Sequence, residues 1–142
     1  MTIGRIIANA RQDIVQCHPD ASVAEAARLL AERRIGALPV VEHGGVVGIF
    51  SERDLLYCIT RDGAAVLDRP VAAVMTAPAI CVEPATSVLE ALSLMTRRRI
   101  RHLPVVEDGR LVAFVSIGDL VKYRIERVET EAQAMREYIR SA

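Results

Sequence analysis

The apolar and polar positions of the chain follow the same series of patterns twice. Each time, a short apolar run leads to a stretch with apolar residues at helical spacing, and two β-rich runs and a second helix follow. The helical stretches Val23–Arg33 and Val88–Arg98 each follow a serine that has a glutamate three residues later. This capping-box pattern satisfies two free N–H groups at a helix start. Each copy is therefore predicted to fold as strand, helix, strand, strand, helix.

The strands of each copy are predicted from β-rich runs that end at turn residues. In the first copy two such runs flank His43-Gly44-Gly45, which is typical of a β-hairpin. The second copy is predicted to turn at Glu107–Arg110. The predicted strands are Ile14–Cys17, Leu38–Glu42 and Val46–Phe50 in the first copy, and Ile80–Val82 at the start of the second.

The two copies align without a gap when the chain is shifted by 65 residues. Val15–Tyr57 then lies over Ile80–Lys122, and 19 of the 43 aligned pairs are identical. A match of that length indicates a tandem duplication. One copy alone is too small to bury both faces of its sheet, so we expect the two copies to pack through their sheets with pseudo-two-fold symmetry. That arrangement leaves two related clefts between the copies.

Composition and charge limit the classes of function. The chain has 142 residues, of which 51% are hydrophobic and 25% charged, as in a globular domain. Eighteen basic residues balance eighteen acidic ones and only five residues are aromatic, which argues against nucleic-acid binding. No apolar run is long enough to span a membrane, and no signal peptide is expected. We therefore predict neither a nucleic-acid nor a membrane partner.

The cysteines and histidines give no pattern of a disulfide framework or a metal site. Cys17, Cys58 and Cys81 are odd in number and lack C-x-x-C spacing. The three histidines lie in separate segments without ligand spacing, so no metal is expected. A reducing, cytoplasmic location is predicted for such a chain.

The predicted organisation has four parts. The apolar stretch Val71–Met75 is similar to Ile3–Ala8, so each repeat is expected to have its own short entry helix. Asp62-Gly63 and Asp68-Arg69-Pro70 are turn residues that mark a connection between the repeats. The parts are the first repeat with its N-terminal entry helix (residues 1–62), a linker (63–70), the second repeat (71–124) and a C-terminal helical extension (125–142).

The C-terminal extension has the pattern of one long helix. The stretch Asp119–Arg140 contains no glycine or proline, and its apolar residues recur at alternating spacings of four and three. This heptad seam predicts that the helix packs against a second copy of the chain in a homodimer. The alternative is that the helix folds back on its own module. The seam consists of Val121, Ile125, Val128, Ala132, Met135 and Ile139.

The duplicated pattern resembles the CBS domain (cystathionine β-synthase domain). The resemblance rests on Leu-Pro-Val-Val-Glu-x-Gly, a following hydrophobic strand and Ser-x-x-Asp-Leu, all present twice, and it covers residues from about 3 to 125. A tandem pair is called a Bateman module. The resemblance implies the α+β class, with two β-α-β-β-α repeats packed through their sheets. It also implies a regulatory sensor of adenosine-containing ligands rather than an enzyme.

The resemblance implies that the aspartate of each Ser-x-x-Asp element holds the ribose hydroxyls of a nucleotide. These residues are Asp54 and Asp119, and a carboxylate is suited to accept two hydrogen bonds from a vicinal diol. Ser51 and Ser116 start the following helices, where free N–H groups favour phosphate. Spacing alone also fits a helix-capping role for both elements, and the two roles are compatible.

The two clefts are expected to differ because the duplication is broken before the Leu-Pro-Val strand. Repeat two has Arg101-His102 where repeat one has Gly36-Ala37. Basic residues at these positions reach nucleotide phosphates in family members, so the resemblance implies that this basic pair serves the cleft of Asp54. The cleft of Asp119 would face the small pair and bind a weaker or bulkier ligand, or none. The alternative is that the basic run is the solvated end of a helix.

Further candidate contacts come from residues near the same elements. Arg53 would add a contact to phosphate, although a surface arginine is the simpler interpretation. Ala113 stands where repeat one has Gly48, and we expect it to crowd the adenine of the second cleft. The remaining candidate nucleotide contacts are Cys17, Val82 and Pro104.

The expected ligand is an adenine nucleotide: AMP first, then ATP, ADP or NAD(H), with S-adenosylmethionine less favoured. A ligand that bridges the repeats would change the angle between them and signal to a protein target on another chain. One alternative is an interaction or dimerisation module with vestigial clefts. Another is a small nucleotide-acting enzyme, for which His102 is the candidate base, although the sequence contains no nucleophile-and-base pattern and no glycine-rich phosphate loop.

Overall fold

The duplication of the sequence gives two repeats with the same series of elements. The computed structural model describes residues 1–8 and 13–142. Within these residues each repeat has a two-stranded antiparallel sheet, in agreement with the α+β class. The elements are α1 (Ile3–Ala8), α2 (Val23–Arg33), β1 (Ala37–Glu42), β2 (Gly45–Ser51), α3 (Glu52–Asp62), α4 (Val88–Arg98), β3 (His102–Glu107), β4 (Arg110–Ser116) and α5 (Ile117–Ser141), with 3-10 helices at Ala64–Asp68 and Val71–Ala73.

Both sheets are hairpins with the same irregularity, which confirms the hairpin prediction. A β-bulge follows Val40 in the first hairpin and Val105, its equivalent, in the second. The turn residues His43-Gly44 and Asp108-Gly109 have φ angles between 51° and 80°. Two consecutive left-handed residues match the twist of the strands that they join. The two repeats therefore kept both the turn and the bulge after the duplication.

The helices α2 and α4 begin and end at the predicted residues. Both capping boxes are formed, with Ser22 and Ser87 each accepting a hydrogen bond from the backbone N–H three residues later. At the other end, Arg34 and Arg99 take the left-handed conformation, with φ of 52° and 53°. This conformation ends each helix and turns the chain toward the hairpin.

The first strand predicted in each repeat is reduced to one bridging residue, so that part of the prediction is wrong. Cys17 forms a single parallel bridge to the hairpin, and Val82 forms the equivalent bridge in repeat two. The Cys17 N–H donates to the Pro39 carbonyl at 3.2 Å, and the Val41 N–H donates to the Cys17 carbonyl at 2.8 Å. The next donors of a parallel ladder would be Pro39 on one side and Pro19 on the other, and proline has no N–H. Prolines occupy the same two places in repeat two.

Each repeat has its own buried core, and the entry segments are exchanged between the cores. α1 precedes repeat one in the sequence, but Ile3 is fully buried in the core of repeat two, where its N–H donates to the Thr86 carbonyl at 2.9 Å. Conversely, Val71 precedes repeat two and is fully buried in the core of repeat one, where its N–H donates to the Ala21 carbonyl at 2.8 Å. Burial of such a side chain is worth about 1.5–3 kcal/mol, so the exchange ties the repeats together.

The connection between the repeats differs from its predicted form. The predicted entry helix at Val71–Met75 is only a 3-10 turn at Val71–Ala73. The predicted linker, residues 63–70, contains the 3-10 helix Ala64–Asp68, in which Val66 is fully buried in the core of repeat one. The connection between the repeats therefore packs into the core of repeat one and is not an unpacked linker.

The helix α5 begins in the body of the protein and then leaves it. It has 25 residues and is about 37 Å long at 1.5 Å per residue. Leu120 is fully buried in the core of repeat two and Tyr123 is half-buried against it, but every residue from Arg124 onward is exposed. The predicted continuous helix is confirmed, whereas the alternative that it folds back on its own module is wrong. Among the described residues no helix is long and apolar enough to cross a membrane.

Candidate functional site

The first cleft lies between the start of α3 and the segments that lead into and out of α4. It encloses about 280 Å³, near the lower end of the range of small-molecule sites. Residues from both halves of the chain form its walls. These are Gly36, Ala37, Ile49, Ser51, Glu52, Arg53 and Asp54 from the first half, and Thr76, Pro78, Ala79, Ile80, Arg99, Ile100, Arg101 and His102 from the second.

Asp54 is held in the first cleft by hydrogen bonds to both of its carboxylate oxygens. Its Oδ2 accepts from the Ser51 backbone N–H at 2.9 Å and from the Ser51 hydroxyl at 3.0 Å. The Asp54 N–H donates to Ser51 Oγ at 3.2 Å, which completes a capping box at the start of α3. Its Oδ1 accepts from the Thr76 hydroxyl at 2.9 Å. The capping role is therefore real, and it also fixes the carboxylate in the cleft.

Thr76 reaches Asp54 because its backbone pairs with β2. Thr76 and Ile49 exchange two N–H···O hydrogen bonds, both of 2.9 Å. Glycine at position 48 favours this close approach, since a Cβ there would lie 2.6 Å from Met75 Sδ and 3.0 Å from the Thr76 carbonyl oxygen, so both would have to shift. The equivalent Ala113 is buried in the core of repeat two and lines neither cleft. The expected crowding of adenine by Ala113 stays a prediction, although the side chain points into the core.

Arginines from both repeats line the first cleft. Arg53 belongs to the first turn of α3, and Arg99 and Arg101 flank the turn from α4 into β3. All three are exposed at the mouth of the cleft, where a guanidinium can bind phosphate in a bidentate manner. The positive end of the α3 dipole lies at the same place. The arrangement suits an anionic group near the cleft mouth.

Glu52 is a negative group in the same cleft. A Cβ on Gly36 would lie 2.9 Å from Glu52 Oε1, which shows that the carboxylate lies over the backbone at that glycine. The same hypothetical Cβ would be 3.5 Å from the His102 ring. An anion in the first cleft would therefore meet three arginines but also a carboxylate close to the ring.

The second cleft is the pseudo-symmetric counterpart, and the charged residues that are described in its lining are acidic. It encloses about 440 Å³. Its charged lining residues, among those that the structure describes, are Asp13 and Asp119, both exposed, and no lysine or arginine is among them. The other described lining residues are Ile14, Val15, Ile35, Ala37, His102, Phe114 and Ser116.

Asp119 is held less completely than Asp54. Its Oδ2 accepts from the Ser116 N–H at 2.9 Å, and the Asp119 N–H donates to Ser116 Oγ at 3.1 Å. Within the described residues no hydroxyl occupies the position that Thr76 takes at Asp54. Asp119 is also exposed, whereas Asp54 is half-buried. The same motif thus gives a fixed carboxylate in one cleft and a more open one in the other.

His102 lines both clefts. Its ring stacks on Phe114, with 5.5 Å between the ring centroids and 9° between the planes. Burial lowers the pKa of His102 below its usual 6.5, and the charge of Arg101 acts in the same direction, while Asp119 and Glu52 oppose the shift. His102 is therefore neutral at pH 7 and lies between one carboxylate of each cleft.

The structure brings the predicted basic pair together with the predicted aspartate. Arg101 and His102 of repeat two line the same cleft as Asp54 of repeat one, and Ser51 and Arg53 lie there with them. The alternative that the whole basic run is a solvated helix end holds only for the part within α4, which lines neither cleft. Gly36 and Ala37 were expected to face the second cleft. In the structure Gly36 lines the first cleft, and Ala37 lines both.

Three predicted contact residues lie in the hydrophobic interior and line neither cleft. Cys17 and Val82 are buried in the two cores, because their bridges place them against the hairpins, and Pro104 is buried within β3. Burial raises the pKa of the Cys17 thiol to about 11, and the charge of Glu25 adds to the effect, so the thiol is unreactive. The side chains of the three residues thus lie outside the cleft linings, and their contact with a nucleotide stays a prediction.

Sequence reasoning missed other lining residues. Glu52 carried a signal, because it lies inside the Ser-x-x-Asp element at a place where repeat two has Ile117. Thr76 lies in the connection outside the aligned repeats, so the duplication gave no information about it. Ile80 and Val15, which line the first and second clefts, lie two residues before the predicted contacts Val82 and Cys17.

Comparison with known families agrees with the fold. The model of the CBS domain matches residues 3–61 and 71–126, one match for each repeat. The chain therefore belongs to the CBS domain family and contains a tandem pair of CBS domains.

Relatives and solved structures have the same organisation. The CBS domain-containing protein CBSX3, mitochondrial, of Arabidopsis thaliana is 38% identical over 128 residues, which are 87% of this chain and 62% of that protein. The chain thus spans less than two thirds of that relative. The crystal structure of the CBS-domain containing protein ATU1752 from Agrobacterium tumefaciens matches with a TM-score of 0.80 and 38% identity, over 87% of this chain and 92% of the other. The CBS domain protein PAE2072 from Pyrobaculum aerophilum, solved in complex with AMP, matches with a TM-score of 0.74 and 28% identity, over 84% and 89% of the two chains.

Proposed function

We propose that the protein is a regulatory module that senses an adenine nucleotide, and that the first cleft is its principal site. The observation that carries this proposal is the convergence of a fixed carboxylate, Asp54, and three arginines between the two repeats. AMP is the first candidate ligand, because the Pyrobaculum relative was solved in complex with it. ADP, ATP and NAD(H) share its adenosine and phosphate chemistry.

Asp54 is the proposed ribose ligand. An ionised carboxylate accepts both donors of a vicinal diol, and such charge-assisted hydrogen bonds are strong. In the fold described here the Thr76 hydroxyl already donates to Asp54 Oδ1 at 2.9 Å. Ribose would replace Thr76 at that oxygen. Because Thr76 also pairs with β2, this exchange would connect ligand binding to the segment that enters repeat two.

The phosphate is proposed to lie at the arginine-lined mouth of the first cleft. Arg101 is the main ligand in this proposal, with Arg53 and the start of α3 beside it. His102 would donate a hydrogen bond or, once protonated, add a charge. Contacts to the ribose from repeat one and to the phosphate from repeat two would make the ligand a bridge between the repeats.

The second cleft is proposed to reject phosphate. Its described charged residues are both carboxylates, so a phosphorylated ligand would meet repulsion. Ser116 and Asp119 would hold only the ribose of an adenosine-type ligand without phosphate, or the cleft would stay empty.

The proposed output is a change in the angle between the repeats. α5 begins at Ser116 beside the second cleft and extends away from the body, so it would carry that change to a second copy and to a protein target. The proposed setting is the cytoplasm, and the three cysteines, all free, are consistent with a reducing compartment.

A sensor is favoured over an enzyme by the surroundings of His102. The ring is stacked on Phe114 and lies near two carboxylates, and none of the described lining residues of the first cleft is a cysteine that His102 could activate. An interaction module without ligand is the second candidate, and the exposed apolar seam of α5 is the observation in its favour.

Thermal unfolding with AMP, ADP, ATP, NAD⁺, NADH and S-adenosylmethionine tests the proposal. A ligand at about 100 times its Kd adds roughly 2.7 kcal/mol, which raises the Tm of a chain of this length by roughly 5–11 °C. Asp54→Asn is expected to remove most of the rise, and the matched variant Asp119→Asn to keep it. The serine N-caps are unchanged and the amide oxygen of asparagine can still accept the hydrogen bond from the serine N–H, so both variants should fold.

Two results would contradict the proposal. One is the absence of a rise with every nucleotide, which would leave the interaction module as the better account. The other is that Asp54→Asn and Asp119→Asn lose the nucleotide-dependent rise in Tm to the same extent. Chromatography of the nucleotide after incubation separates binding from turnover, since a sensor returns its ligand unchanged.

A further inference from the structure

The outer part of α5 carries an apolar seam that nothing covers within the described residues. No residue from Arg124 onward is buried. The large seam residues Val121, Ile125, Val128, Met135 and Ile139 are between 41% and 65% exposed. A contiguous stripe of this kind on a helix that projects from the body marks an association surface. Ala132 completes the seam.

The heptad positions of the seam indicate a two-stranded coiled coil. The alternating spacing places Ile125, Ala132 and Ile139 at position a, and Val121, Val128 and Met135 at position d. β-branched isoleucine at a is typical of two-stranded coils, in which leucine is the usual d residue; here position d carries valine and methionine instead. The kind of partner that such a seam fits is one further helix of the same length, which a second copy of this chain supplies.

The charges beside the seam distinguish parallel from antiparallel pairing. In a parallel pair, a g residue faces the e residue five positions later on the other helix. Arg124 at g then faces Glu129 of the second copy, and Glu131 at g faces Arg136 of the second copy. Symmetry doubles both contacts, so a parallel dimer has four attractive pairs.

Antiparallel pairing would bring like charges together. Full overlap of the seam in that direction places position a of one helix against position d of the other, with Ala132 opposite Val128. Glu129 would then face Glu129 of the second copy, and Glu131 would face Glu131. Lys122 would face Arg136. Every charged e–e and g–g pair would be repulsive.

Three of the four residues that carry this argument, Arg124, Glu129 and Arg136, are in no ion pair within the described part of the chain. The fourth, Glu131, is paired with Arg127 of its own helix at 3.1 Å, and an exposed pair of this kind is weak enough to be exchanged for a contact between chains. We propose that α5 forms a parallel, in-register, two-stranded coiled coil between two copies of this chain. The bodies of both copies then lie at the same end of the coil. This geometry specifies the homodimer that the proposed function uses, but it needs no ligand, so nucleotide binding can fail without affecting it.

Charge reversal with sedimentation tests the pairing. The wild type is expected to sediment as a dimer of about 31 kDa, twice the 15.5 kDa of the chain. Arg124→Glu and Glu129→Arg are each expected to weaken the dimer roughly tenfold, because each turns two attractive pairs into repulsive ones, and the double variant to restore it. Neither change weakens the helix itself. Arg124→Glu places an acidic residue three positions before Arg127, and Glu129→Arg places a basic residue three positions after Glu126. A monomeric wild type, or single variants that dimerise normally, would overturn the proposal.

Cross-linking tests the direction separately. In a Cys81→Ser background, Met135→Cys is expected to form a disulfide-linked dimer on oxidation, because identical d positions meet in a parallel coil. Gln133→Cys, which faces away from the seam at position b, is the matched control and should remain unlinked. Failure of Met135→Cys to cross-link in a protein that sediments as a dimer would indicate antiparallel pairing and overturn the proposal.

Discussion

The two clefts share a backbone design but differ in charge. Each has a serine and an aspartate in a capping box at the start of a helix, placed there by equivalent hairpins. The first has three arginines against two carboxylates, and the described residues of the second contribute two carboxylates and no arginine or lysine. The duplicated serine–aspartate motif is therefore kept in both clefts, while the described charged residues around it differ.

Under the proposed function, charge is expected to decide which cleft binds phosphate. Two unit charges 4 Å apart interact by about 1 kcal/mol in bulk water and by about 4 kcal/mol near a protein surface. The described lining residues of the two clefts differ by several charges, most of them exposed and therefore screened, so a phosphorylated ligand is expected to favour the first cleft. Variants that change the charge of one cleft therefore test the comparison directly.

Removing the main phosphate ligand should have the largest effect. Arg101→Ala is expected to weaken AMP binding about 10- to 100-fold, because hydrogen bonds to charged groups contribute about 1.5–3 kcal/mol. Isothermal titration calorimetry measures the change. Arg97→Ala is the matched control, since Arg97 is exposed within α4 and lines neither cleft. An unchanged affinity in Arg101→Ala would show that the phosphate lies elsewhere.

Neutralising the Glu52 carboxylate in the first cleft should change the affinity for AMP less than the loss of Arg101, and in the opposite direction. Glu52→Gln is expected to tighten AMP binding about three- to tenfold, because it removes a repulsion of about 1 kcal/mol while keeping the size of the side chain. Glu107→Gln is the control, at an exposed position that lines neither cleft. Weaker AMP binding in the Glu52 variant would mean that this carboxylate contacts the ligand favourably.

The pH dependence of AMP binding should give the smallest effect. His102 is neutral in the free protein because burial lowers its pKa, and a bound phosphate favours the protonated ring, so binding takes up a proton. The affinity of the wild type should therefore rise a fewfold more than that of His102→Gln as the pH falls from about 7.5 to about 5.5. Titration of the phosphate itself cancels in this comparison. Parallel pH profiles for the two proteins would exclude a role of His102 in phosphate binding.

The stability of the free protein should change in the opposite sense over the same pH range. Because the pKa of His102 is lower in the folded state than the usual 6.5, the unfolded state binds more protons once the pH falls through that value. The contribution of neutral His102 to the free energy of unfolding is complete above pH 6.5. It is lost as the pH falls from 6.5 through the lowered pKa of the folded state. His102→Gln should therefore lose less stability than the wild type on acidification, whereas the AMP affinity of the wild type should rise relative to that of His102→Gln.

The sequence was informative wherever a local pattern determined the structure. The capping boxes and apolar stripes predicted α2 and α4 to the residue, and the turn residues predicted both hairpins. The placement of Arg101 in the cleft of Asp54 followed from the resemblance to the CBS domain, whereas the aligned repeats showed only that a basic pair replaces Gly36-Ala37.

Features that depend on tertiary contacts were not predictable. The exchange of α1 and Val71 between the cores has no local pattern, since either apolar stretch would fit either core. The loss of the first strands followed from pairs of prolines on two different segments, such as Pro19 and Pro39, which matter only once the segments are neighbours. Thr76 reaches Asp54 where the absence of a Cβ at Gly48 leaves room for it.

A crystal structure of the protein with AMP would test the difference between the clefts most directly. The account predicts AMP in the first cleft, with its ribose on Asp54 in place of the Thr76 hydroxyl and its phosphate against Arg101, while no phosphorylated ligand occupies the second cleft. AMP in the second cleft alone, or equally in both, would contradict the conclusion that charge divergence made the two sites unequal.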